Sequence, residues 1–195
     1  MIRRRRDCDD ELLGGATIRG TSRAATGEEA QFSPVAADYG PMVSTYTVHA
    51  EPLSEEAFAP FGQVIAHGDM VMELRGGEEF HLNVLHYDRK PLRCDHLNRH
   101  HKATQALVAL AGKPTLLVVA AAEYDFSTAD HLGHIHAFVC DGTAGVNLAL
   151  GTWHWGPYPI LDHVDLVNVQ GKGFANDNEI AYLERDLGTV VETVL

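Results

Sequence analysis

The sequence is short of cysteine and of positive charge, and it has no long apolar run. Its three cysteines, Cys8, Cys94 and Cys140, form no CxxC pair, and one is left over in any bridge. That argues against a disulfide framework and against a cysteine-based zinc site, and free thiols suit a reducing compartment. Lys and Arg total 15 against 27 Asp and Glu, a formal net charge of -12. Phosphates repel such a surface, so no nucleic-acid partner is expected. No apolar stretch approaches the length of a membrane span, so no membrane partner is expected either. The opening MIRRRRDCDDELLGG has arginines but no apolar segment behind them, so it does not read as a secretory signal. A cytoplasmic location is the expectation.

What is present is a chain of 195 residues, 45% hydrophobic, with twelve histidines. Residues 1–41 contain GGATIRGTSRAATGEEAQ, a stretch without sustained periodicity that buries too little apolar surface to offset its ordering entropy. They are expected to be a disordered or arm-like extension, with Met42 an alternative start and 42–195 a single domain. In YTVHAEPLSEEAFAPFG a strand leads to Ser54, a helix cap, and one or two helical turns stopped by Pro60 and Gly62. Short strands then follow: GQVIAH, FHLNVLHYD, TQALVALAG, PTLLVVAAAE, IHAFVCDG, VNLALGTWHW and HVDLVNVQG. Gly, Pro, Asp or Asn punctuates almost every gap. GKPTLLVVA reads as a hairpin turn entering a doubly buried strand. Many short strands with little helix predict an all-β sandwich or barrel.

Chemistry-bearing residues gather in two places. In RHHKATQALVALAGK, His100 or His101 precedes Gln105 by five or four positions, and Gly112 follows after six intervening residues. In GTWH, Gly151 is separated by two residues from His154. This spacing resembles the two cupin motifs, whose ligands on neighbouring strands point inward and converge on one metal. The expected fold is therefore a cupin-type double-stranded β-helix barrel with a few short helices, and the expected metal set is His100, Gln105 and His154. Gln105 stands where cupins carry glutamate, which lowers the negative charge available to a divalent ion.

Four stretches are together similar to the ureidoglycolate lyase family: PLSEEAFAPFGQVI (52–65), RHHKATQALVAL (99–110), HAFVCDGTAGVN (136–147) and GTWHWGPYP (151–159). The likeness covers roughly 42–184. Departures fall at Asn98, where the family commonly has glutamate, near Ala149, at His136 and at His101. The resemblance implies a catalytic domain that cleaves ureidoglycolate, or a close α-substituted carboxylic acid, to glyoxylate and urea. It implies one divalent ion such as nickel, manganese or zinc, no organic cofactor, and a homodimer that covers open barrel edges. By position, Thr104 and Asn147 would offer hydrogen bonds to substrate, with Asn98 and Trp153 beside them. His101 and Lys102, a pair of unequal basicity, are the candidates for proton transfer next to His100 and His154. Two other classes stay open: a metal-dependent cupin oxygenase or isomerase, and a cupin that binds a small molecule without turnover.

Overall fold

The computed structural model describes residues 43–76 and 79–195, so the arm expected over 1–41 lies outside the described residues. In chain order the elements are β1 (Ser44–His49), β2 (Glu51–Pro52), α1 (Glu55–Phe58), β3 (Gly62–Ile65), β4 (Phe80–Asp88), β5 (Arg93–Cys94), β6 (His96–His100) and β7 (Gln105–Ala109). They continue with β8 (Thr115–Ala120), β9 (His136–Cys140), β10 (Gly145–Leu148), β11 (Trp153–Pro159), β12 (His163–Gly171), β13 (Asn178–Tyr182), α2 (Leu183–Leu187) and β14 (Thr189–Val194). The Ser54 hydroxyl accepts from the Ala57 amide at 3.2 Å, the cap that starts α1.

The strand order follows from one nested hairpin. β8 pairs with β9, β7 with β10, β6 with β11 and β4 with β12, all antiparallel, so each strand before the β8–β9 connection meets its counterpart after it. Additional β7–β12 and β8–β11 pairs wind this long hairpin into two facing sheets. One sheet runs β3-β10-β7-β12-β4 and the other β13-β6-β11-β8-β9-β2, with a small β1-β14-β5 sheet besides. This is an all-β, cupin-type double-stranded β-helix.

β8 shows why its sequence is apolar throughout. Alternate residues Leu117 and Val119 enter the core between the two large sheets, with Phe58, Phe61, Leu107, Phe138, Val146 and Leu148. The intervening Leu116, Val118 and Ala120 enter a second core with Val48, Leu97, Trp153, Leu183 and Val191. A strand buried on both faces needs no polar alternation.

Two expectations change, and one strand is added. GKPTLLVVA is not a hairpin, because β7 and β8 belong to different sheets. Ala111 (φ 58) and Gly112 (φ 62) take left-handed conformations there and carry the chain from one sheet to the other. VNLALGTWHW is two strands, β10 and β11, broken by a turn at Gly151 (φ 78). HLNRH, which has one strongly apolar residue, is strand β6. Only its Leu97 face meets an apolar core, while the opposite face lines a polar cavity.

Phe58 is completely buried, 5.3 Å from the Phe138 ring centroid and 5.9 Å from that of Phe61. Phe58→Ala removes this plug from between the sheets and is expected to cost about 3–5 kcal/mol, read as a lower urea midpoint at unchanged slope.

Candidate active site

The nested hairpin lays β6 beside β11 with His154 opposite Asn98. Side chains alternate along a strand, so Asn98 and His100 share the inward face of β6 while Leu97 turns away. On β11, His154 faces the cavity and Trp153 the outer core. The facing sheet contributes Asn83 from β4, Gln105 from β7 and Gln170 from β12. Together they line an open-mouthed cavity of about 420 Å³ whose other walls include Tyr87, Leu107, Trp155 and Phe174. Among the described residues no lysine, arginine, aspartate or glutamate lines it.

Burial sets the protonation of the two histidines. His154 is 7% exposed, and desolvation, with the neighbouring His100 in second place, lowers its pKa to about 4. Its Nδ1 lies 3.0 Å from the Thr152 carbonyl. A neutral ring therefore keeps its proton there and its lone pair on Nε2. His100 is also pushed down by desolvation, against opposing pulls from the Asp177 charge and a hydrogen bond to the Asp177 backbone. Its buried Nδ1 has no hydrogen-bond partner. The two ring centroids are 5.4 Å apart.

Gln105 completes the set. Its Nε2 donates to Asn168 Oδ1 at 2.8 Å, and its buried Oε1 has no partner. Two buried acceptors, His100 Nδ1 and Gln105 Oε1, thus stand without donors on the cavity that His154 also lines, which is costly unless a cation or a ligand donor meets them. These residues fit a divalent ion, held weakly because the set carries no negative charge. Among the described residues no three His, Cys, Asp or Glu side chains gather at one point.

Other candidates lie elsewhere. His101 points away from the cavity, with Nε2 2.8 Å from Glu179, which also accepts the Arg99 guanidinium. The sequence put His101 and His100 together; successive residues leaving a strand face opposite ways, and only His100 turns inward. Lys102 borders a small hollow with His100, Phe174 and Asp177 rather than the main cavity. The Thr104 hydroxyl pairs with the Glu73 backbone, and Asn147 Nδ2 donates to Gln63 Oε1. Both serve the barrel wall. Trp153 is 1% exposed, donates to the Tyr124 carbonyl and carries the Arg99 guanidinium on its face, so it is core. Asn98 lines the cavity, and Asn178 with it. Asn83, Tyr87, Asn168 and Gln170 were not singled out by sequence. The alternation of VDLVNVQG held the signal for two of them, since Asn168 and Gln170 continue the inward stripe of Val164 and Leu166.

A family model described as ureidoglycolate lyase matches residues 72–190. The chain belongs to the ureidoglycolate lyase family. Relatives within the family include the ureidoglycolate lyase of Pseudomonas fluorescens (strain SBW25), 31% identical over 160 residues, covering 72% of this chain and 93% of that protein. The ureidoglycolate lyase of Pseudomonas syringae pv. tomato is 29% identical over 173 residues, covering 75% and 95%. A solved structure of RmlC from Streptococcus suis in complex with dTDP-D-xylose aligns with 48% of this chain and 44% of its own at 13% identity and a TM-score of 0.33. The fold of this ureidoglycolate lyase family member rests on its own strand order.

The lowered pKa of His154 ties acid stability to this site. The unfolded chain takes up this proton below about pH 6.5, whereas the folded protein resists until about pH 4. The stability His154 contributes is therefore complete above that unfolded value and lost as pH falls toward the folded one. In chelator, thermal midpoints of the wild type should drop more steeply across this range than those of His154→Gln.

Proposed function

We propose that the protein is a carbon–nitrogen lyase that cleaves ureidoglycolate to glyoxylate and urea. The observation that carries this reading is the convergence of His100 and His154 on one cavity lined by uncharged side chains in a chain of this family. The reaction needs no water. The substrate's α-hydroxyl loses its proton, the oxygen's electron pair forms the aldehyde C=O, and the C–N bond breaks toward the ureido nitrogen. That nitrogen takes up a proton and leaves as urea.

The residues present suit each part. The neutral His154 ring, held by the Thr152 carbonyl, offers a lone pair to the hydroxyl proton, and the resulting imidazolium is a proton source for the departing nitrogen. His100 stands next to it as the second imidazole. The role first given to His101 and Lys102 therefore passes to the His100–His154 pair. The amides of Asn83, Asn98, Gln170 and Asn178 match a ureido group, which presents both donors and acceptors. A divalent ion bound by His100, Gln105 and His154 would occupy these same imidazole lone pairs, so in the loaded site the ion and not the ring would acidify the hydroxyl, and it would balance the carboxylate, for which no side-chain cation among the described residues lines the cavity. No observation favours the oxygenase, isomerase or silent binding readings.

The homodimer and the cytoplasmic location are part of the same proposal. Among the described residues β4 is a sheet edge, with Leu82 and Val84 exposed, which gives a second copy an apolar strand to pair with. No helix of the described residues is long and apolar enough to cross a membrane.

Incubation with ureidoglycolate should release urea and glyoxylate in equal amounts. His100→Ala and His154→Ala should each lower kcat/KM by about 10²-fold or more, whereas His101→Ala should stay within about threefold of the wild type, as expected for a ring outside the cavity. No urea release by the wild type, with or without added nickel, manganese or zinc, overturns the assignment.

A further inference from the structure

Asn168 is completely buried in the middle of β12, on the inward face that begins with Val164 and Leu166. A carboxamide in such a place must satisfy both its ends. Its Oδ1 accepts from Gln105 Nε2 at 2.8 Å, and its Nδ2 donates to Asn83 Oδ1 at 2.8 Å. Asn168 lies directly opposite Asn83 in the β12–β4 ladder and opposite Leu107 in the β12–β7 ladder, two residues beyond Gln105. Three amides on three adjacent strands therefore form a chain with one direction, each NH₂ directed at the next carbonyl.

That direction has a chemical consequence. Because Asn168 takes the NH₂ end of Gln105, the carbonyl end is the one left buried and unpartnered on the site that holds His100 and His154. Were the chain reversed, Gln105 would present N–H groups, and no cation could be held. We propose that Asn168 is a positioning residue which, acting through Gln105, keeps an amide oxygen rather than an amide NH₂ turned to the imidazole pair, and so completes a three-donor site for a divalent cation. This rests on the reading of the cavity as the active site and adds the device that sets the polarity of its third donor. A role limited to cross-linking three strands would lower stability and leave ion affinity alone.

The test is a double-mutant cycle read by calorimetric titration with manganese(II) alone, counting only the binding that His100→Ala abolishes. Asn168→Leu should weaken this binding about 10–100-fold, the usual effect of removing a partner that orients a ligand. Gln105→Leu should weaken it to the same degree, and the double variant should be no weaker than Gln105→Leu. If Asn168→Leu does not fold, Asn168→Asp serves instead. An aspartate still accepts from Gln105 Nε2, so affinity should equal or exceed that of the wild type. The proposal is overturned by unchanged affinity in Asn168→Leu, by additive losses in the double variant, or by a weakened Asn168→Asp. Absence of any His100-dependent binding in the wild type also overturns it, while urea release in chelator would leave the lyase assignment standing. A holding cycle without urea release would remove the lyase assignment alone.

Discussion

The antiparallel pairing of β6 with β11, at His154 opposite Asn98, is the contact on which the site depends. The two histidines are separated by a long stretch of chain, and nothing local draws them together. They meet because the chain folds about the β8–β9 connection as one hairpin, then coils, so that strands equally far from that connection become neighbours. Apolar burial drives the coiling. β8 carries two cores, one on each face, and aligning it between β9 and β11 is what lets both form.

Burial then does chemical work at the other end of the same space. Between the sheets the apolar filling of Phe58, Phe61 and Phe138 gives way to amides and imidazoles without a formal charge. A desolvated imidazole keeps its lone pair, since protonation would place an unpaired charge in a poorly solvated place. Groups that can carry charge, His101 with Glu179 and Arg99 among them, lie outside the cavity. The result is a cavity of neutral amides and imidazoles in which two buried acceptors, His100 Nδ1 and Gln105 Oε1, lack donors, which calls for a cation or for the N–H and O–H groups of a ligand.

Much of this was legible residue by residue. FHLNVLHYD and HVDLVNVQG are strands over the same limits in the structure, and Ser54 caps the short helix. His100, Gln105 and His154 share the cavity their spacing suggests. HLNRH passed unnoticed as a strand because one of its faces lines a polar cavity and offers no apolar alternation. Asn168 and Gln170 passed unnoticed because an amide in an apolar strand announces nothing until its partners on other strands are known.

By itself the sequence determined many of the strands, that the fold is all-β, and which family the chain resembles, since these depend on local alternation, turn chemistry and motif spacing. Only the tertiary structure decided which side of each strand faces the cavity. That choice separates His100 from His101 and sends Thr104, Asn147 and Trp153 into the wall and core. It also decided that the three-amide chain ends in an oxygen. Both outcomes turn on contacts between residues far apart in the chain, where the free energy belongs to the pairing and not to either partner.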